Sequence, residues 1–156
     1  MSESRYEIGM RERRAVLGDA HVERAEARKT AFDAPFQQFI VESAWGSLWS
    51  RADLDRRTRS LITIAILAAL GRHEELALHI RACANTGAAP EEIREALMHV
   101  AVYAGIPAAN SAIAIAKGIM EERTTDQTDR SDPSDRTDRS DRTNQADQTS
   151  RKGKAP

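Results

Sequence analysis

One histidine in this chain stands among residues that could put it to use. His79 lies on a short amphipathic segment between Gly71 and Gly87. It falls three residues after Leu76 and four before Cys83, at the border of an apolar stripe made by Leu76, Ile80 and Cys83. Glu75, four residues earlier, shares its side of a helix and could orient or charge the imidazole. Two uses are open, a hydrogen-bonded structural histidine or a general acid. His79 and Cys83 at i, i+4 could touch one metal, but two ligands without a third make a weak site. The chain has one cysteine, which rules out an intramolecular disulfide and a Cys-x-x-Cys pair within one chain.

A second group is cationic. Arg56, Arg57 and Arg59 sit at the first turn of an expected helix, where positive charge opposes the helix dipole. With the free N–H groups of that turn they could bind an anion. Equally, they could form a solvated basic turn paired with acidic neighbours. A third group is aromatic: Glu42, Trp45 and Trp49 follow helical spacing and share a stripe. They read as two core or interface anchors beside a carboxylate, or as a pocket wall.

The elements that must position these groups are helical. Tyr6–Leu17 reads as a first helix stopped by Gly18, with Asp19 capping a polar helix to Lys29. Pro35 suits a helix start, with Phe36, Phe39, Ile40, Ser43 and Ala44 on one face. Asp55–Leu70 reads as an apolar helix, buried on all sides, capped by Asp55 or Thr58 and stopped by Gly71. His73–Asn85, a helix opened by Pro90 and a last one opened by Pro107 follow, each marked by Gly or Pro. Ile93, Ala96, Leu97 and Val100 give the Pro90 helix an apolar face, with His99 exposed beside it. Alanine-rich faces on the last two helices suit close packing.

From Thr124 to Pro156 the chain changes character. Ala146 and Ala155 are its only apolar residues, and seven aspartates balance seven basic residues. Such a segment buries too little to offset its ordering entropy and reads as a disordered, low-complexity tail. The expected division is therefore a helical domain over 1–123 and a tail over 124–156.

Composition narrows the function classes. A net charge of −1 gives no global field for nucleic acid or an anionic membrane. The longest mainly apolar run, Leu61–Leu70, has ten residues including Thr63, where a membrane span needs about 20. The charged N-terminus MSESRYEIGMRERR has no apolar core of a signal peptide, so a cytoplasmic protein is expected. Dinucleotide, P-loop, nucleophile-elbow and His-Glu-x-x-His motifs are lacking.

DRRTRSLITIAILAALGRHEELALHIRACANTG, followed by EEIREALMHVAVYAGIPAAN, resembles the carboxymuconolactone decarboxylase family. Arg13–Ala25 (RRAVLGDAHVERA) and Trp45–Ser60 (WGSLWSRADLDRRTRS) narrow the likeness to members acting on 4-carboxymuconolactone. The resemblance covers roughly Tyr6 to Glu122, the expected domain. It implies an alkylhydroperoxidase-like all-α bundle of about six to seven helices. It also implies a homo-oligomer (a hexamer, as a trimer of dimers), with neither metal nor organic cofactor. Redox relatives in the wider superfamily carry a Cys-x-x-Cys pair, whose positions here fall at Arg72 and Glu75, so their thiol chemistry is absent.

The implied reaction is decarboxylation of 4-carboxymuconolactone, a lactone dicarboxylate, to 3-oxoadipate enol-lactone in the protocatechuate branch of the β-ketoadipate route. On that basis His79 is expected to deliver a proton as general acid, with Glu75 keeping it charged. Arg56, Arg57 or Arg59 would hold carboxylates, and at most two of them can point inward from one turn. Trp45, Tyr103 and Asn110 are expected at the pocket margin. A non-catalytic or differently specific superfamily member, a stress or binding protein, is the alternative.

Overall fold

The computed structural model describes residues 3–131. Its elements in chain order are α1 (Arg5–Leu17), α2 (Asp19–Arg28), α3 (Ala34–Ile40), a π-helical stretch (Val41–Trp49), α4 (Arg56–Ala69), α5 (His73–Thr86), α6 (Pro90–Tyr103) and α7 (Ile106–Ser131). Among the described residues there is no strand, so the all-α expectation holds. No helix among them is long and apolar enough to cross a membrane.

Local chemistry accounts for most boundaries. The Ser4 hydroxyl accepts the Glu7 N–H at 3.2 Å, and the Glu7 carboxylate accepts the Ser4 N–H at 2.7 Å, which closes a capping box on α1. Gly18, at φ +85°, joins α1 to α2. Asp19 is thus the first helical residue rather than the cap, and its carboxylate pairs with Arg14 at 2.9 Å. Gly87, at φ +82°, ends α5 in the left-handed conformation that glycine tolerates best. Pro90 opens α6, and the Glu92 carboxylate accepts the Ala89 N–H at 3.0 Å. α7 runs past residue 123 to Ser131, because nothing between Gly118 and Pro133 breaks a helix. The rest of the expected tail, 132–156, lies outside the described residues. The compact unit itself ends at Met120.

The π-helical stretch has a visible cause. It crosses α1 at two glycines, where a Cβ on Gly9 would overlap the Val41 carbonyl and one on Gly46 would overlap the Arg5 carbonyl. Serine hydroxyls follow the widened turns, Ser47 donating to the Glu42 carbonyl at 2.7 Å and Ser50 to the Gly46 carbonyl at 2.8 Å. The i→i+5 winding keeps Trp45 and Trp49 together while Glu42 turns toward Gln38, 2.9 Å away.

Two cores result. The larger joins α4, α5, α6 and α7 through Ile64, Leu76, Ile80, Ile93, Leu97 and the α7 alanines. The smaller joins α1, the π-helical stretch and α5 through Val16, Trp45, Trp49 and Ala82. α5 serves both, and His79 lies between its two apolar faces. Two expectations of burial fail. Ile62, Ile66 and Leu70 form an exposed stripe on α4, at 46%, 52% and 65% exposure. Phe36 and Phe39 are also exposed. A single chain gives these side chains no partner surface, because α4 meets α5 and α6 on its other sides.

Candidate active site

His79 faces both tryptophans of the chain. Its ring lies 6.5 Å from Trp45 at an interplanar angle of 12°, and 6.0 Å from Trp49 at 20°. The two indoles are themselves 5.2 Å apart and almost fully buried. The result is an apolar, aromatic wall on one side of an imidazole. His79 Nδ1 is buried and has no hydrogen-bond partner. Burial pushes the imidazole pKa down to about 4, with the charge of His21 adding to the shift, so the ring is neutral at pH 7.

That corrects the role expected of Glu75. Its side chain is exposed, and it is not among the groups that move the His79 titration. Helical spacing placed Glu75 one turn from His79, but its carboxylate points into water, where screening removes its influence.

The arginine cluster divides. Arg56 forms a two-pronged ion pair with Glu12 on α1, Nε to Oε2 and Nη2 to Oε1, both 3.0 Å. Arg57 pairs with Glu92 on α6, its Nε 2.7 Å from Oε2. Successive residues leave a helix about 100° apart, so neighbours in one turn reach different partners. Expected carboxylate-holding roles for Arg56 and Arg57 are therefore displaced by Glu12 and Glu92. One of the free N–H groups of that turn is also claimed, since the Asp55 carboxylate accepts the Thr58 N–H at 2.7 Å. Arg59 alone turns inward. It is 8% exposed, donates from Nη2 to the Arg51 carbonyl at 3.0 Å, and leaves Nε buried without a partner.

Tyr103 does not join the group. It is 83% exposed at the end of α6 and stacks on His99 at 5.9 Å. Asn110 is exposed on α7.

Two residues that the sequence did not single out, Arg13 and His21, come into view beside Trp49, which takes the pocket-wall reading its stripe left open. Trp49 supplies half of the aromatic wall. Arg13 is 7% exposed, and its Nε and Nη1 lack hydrogen-bond partners, although Nη1 lies 3.5 Å from Glu26 Oε1. His21 on α2 has its pKa lowered by burial, then by Arg13 and Arg24. A signal for Arg13 was present: Gly9, Glu12, Arg13 and Val16 fall at i, i+3, i+4 and i+7, and all four are buried. Two charges on a buried face require partners.

A separate cleft of about 470 Å³ lies between α1 and α3, lined by Tyr6, Lys29, Ala31, Ala34, Pro35 and Gln38. It does not include His79. The chemistry-bearing groups therefore define the candidate site.

An aromatic wall beside a desolvated imidazole suits proton transfer on a small anion. The family that this chain belongs to agrees with such a site: a model of the carboxymuconolactone decarboxylase family matches residues 34–118. Among relatives, the 4-carboxymuconolactone decarboxylase of Acinetobacter baylyi is 46% identical over 120 residues, which covers 77% of this chain and 90% of that protein. The nitrosuccinic acid decarboxylase of Metarhizium robertsii is 41% identical over 110 residues, 70% of this chain and 77% of that protein. A 4-carboxymuconolactone decarboxylase of Pseudomonas putida is 50% identical over 42 residues, 27% of this chain and 88% of that sequence.

Proposed function

We propose that this protein removes CO2 from 4-carboxymuconolactone to leave 3-oxoadipate enol-lactone, in the protocatechuate branch of the β-ketoadipate route. The observation that carries the reading is His79 held desolvated against the Trp45–Trp49 wall. The 46% identity across 90% of a 4-carboxymuconolactone decarboxylase supports it.

The departing carboxylate sits on a carbon conjugated through C=C to the lactone carbonyl. When the C–C bond breaks, its electron pair moves into the ring and onto the lactone oxygen, and CO2 leaves. The substrate is thus its own electron sink. The carbon next to the carbonyl then takes a proton, which the resting neutral His79 does not carry as charge. An arriving dianion reverses this, since negative charge nearby raises an imidazole pKa. His79 takes up a proton with the substrate and delivers it to carbon after CO2 is lost. Burial beside the indoles disfavours the ionised departing carboxylate more than the delocalised anion that follows. Arg59 remains the α4 donor available to a substrate carboxylate.

The exposed Ile62–Ile66–Leu70 stripe and the exposed Met98, Val102, Tyr103 and Ile106 favour assembly into a homo-oligomer, for which the family resemblance implies a hexamer. Light scattering on the purified protein tests that state directly. A second reading, decarboxylation of a nitro-substituted dicarboxylate, is favoured by the 41% identity to a nitrosuccinic acid decarboxylase. Nitrosuccinic acid likewise keeps one carboxylate while an adjacent group can accept the electrons.

The deciding experiment is an ultraviolet assay with enzymatically generated 4-carboxymuconolactone, run beside nitrosuccinate. Rapid turnover of the lactone is expected, and His79→Gln should lower kcat by about 10²-fold or more. No consumption of the lactone would reject the reading. Near-normal turnover by His79→Gln would reject the assignment of the acid.

A further inference from the structure

We propose that Arg13, flanked by His21, anchors the carboxylate that the substrate retains, and that it does so across one helix contact from His79. The identity of the anion rests on the decarboxylase reading. The placement goes beyond it, moving the anchor from α4 to α1.

Arg13 is a buried cation with spare donors. Its guanidinium is sunk in the α1–α2 contact, yet Nε and Nη1 make no hydrogen bond. Glu26 forms an ion pair with Nη1 at 3.5 Å that makes no hydrogen bond, and the same carboxylate also pairs with Lys29. Two unmet donors on a desolvated guanidinium cost free energy that a bidentate carboxylate would recover. Arg56 and Arg57 offer no such vacancy, because Glu12 and Glu92 fill their forks.

Arg13 and His79 are linked through one packed helix contact. Val16, one turn beyond Arg13, packs with Trp45, Trp49 and Ala82. Ala82 is three residues after His79 on α5, the spacing of one helical turn. The Asn85 side-chain amide donates to the Val16 carbonyl at 2.9 Å, which fixes α1 against α5. His21 stands between them electrostatically: it feels the charge of Arg13, and His79 feels the charge of His21. The group therefore separates two opposed demands. The departing carboxylate needs a dry surface, which the indoles provide. The retained carboxylate needs fixed positive charge, which Arg13 provides from the neighbouring helix.

The test compares 4-carboxymuconolactone with its analogue esterified only on the acetate side chain. In the wild type the ester should show a KM raised about 50- to 100-fold, the effect of losing a charge-assisted pair. Arg13→Gln should show the same loss with the free acid, and its acid-to-ester ratio should fall toward one. Arg59→Gln should keep the wild-type ratio. Arg13→Lys should sit between, and guanidinium ion added to Arg13→Ala should restore part of the lost affinity, which a merely structural role would not allow. Tryptophan fluorescence titrated with succinate gives a readout independent of turnover, and Arg13→Gln should bind it at least tenfold more weakly. Should the wild type bind succinate through Arg13 yet not consume the lactone, the reaction assignment falls and the anion anchor stands. A folded Arg13→Gln that keeps both the ester discrimination and wild-type succinate affinity overturns the proposal.

Discussion

The buried imidazole makes a prediction that can be worked through. His79 has its pKa pushed from 6.5 down to about 4 by burial and by the charge of His21. In the unfolded chain the same group titrates near 6.5. Between those values the unfolded state binds the proton and the folded state does not. Stability is therefore undiminished by His79 above pH 6.5, falls as pH drops through the window, and levels off below pH 4. Integrating that difference gives a loss of about 2 kcal/mol between pH 7 and pH 5, and about 3 kcal/mol by pH 4. Carboxylates also titrate at the lower end, so the difference between two proteins is the useful quantity. Urea unfolding of the wild type and His79→Gln at pH 7 and pH 5 isolates it, since glutamine fills similar space and carries no proton. The wild type should lose about 2 kcal/mol more than the variant over that interval. Equal losses would show that His79 is solvated in the folded protein, and the dry-wall account of catalysis would fall with it.

Other consequences follow from the same geometry. Arg57→Ala should leave stability within about 1 kcal/mol and KM unchanged, because its pair with Glu92 is half exposed. Arg56→Ala should cost more in a denaturation midpoint than in turnover, since it strands the nearly buried Glu12 carboxylate. Arg59→Ala should instead raise KM, and unchanged kinetics would remove α4 from the site. Gly46→Ala should destabilise by about 3 kcal/mol, because its methyl would meet the Arg5 carbonyl and force α1 away from the π-helical stretch; a wild-type Tm would refute that contact. Removing residues 132–156 should leave turnover unchanged, as the compact unit ends at Met120.

Local signals along the chain set the helices and their order. Gly18, Gly71, Gly87 and Pro90 act through backbone geometry, which is local, so boundaries fell close to their expected places. The sequence also determined His79 as a border residue of α5, because helical period is enough to separate the faces of one helix. What a side chain meets was decided only by tertiary structure. Charge on Arg56, Arg57 and Arg59 was visible, but the partners Glu12 and Glu92 come from distant helices, and only folding turns Arg59 back onto the Arg51 carbonyl. Glu75 had the right spacing and the wrong solvent exposure. Arg13 lies on a spacing that marks one face of α1, but only the packing of α1 on α2 and α5 shows that its donors are buried without hydrogen bonds. The i, i+4 spacing already pairs Trp45 with Trp49, but the π-helical winding of their stretch and its close crossing with α1 at Gly9 and Gly46 were hidden, since the two glycines come from different helices. Local propensity fixes where a helix begins and ends, whereas desolvation and pairing are properties of the neighbours that folding brings, and the chemistry of this site depends on those neighbours.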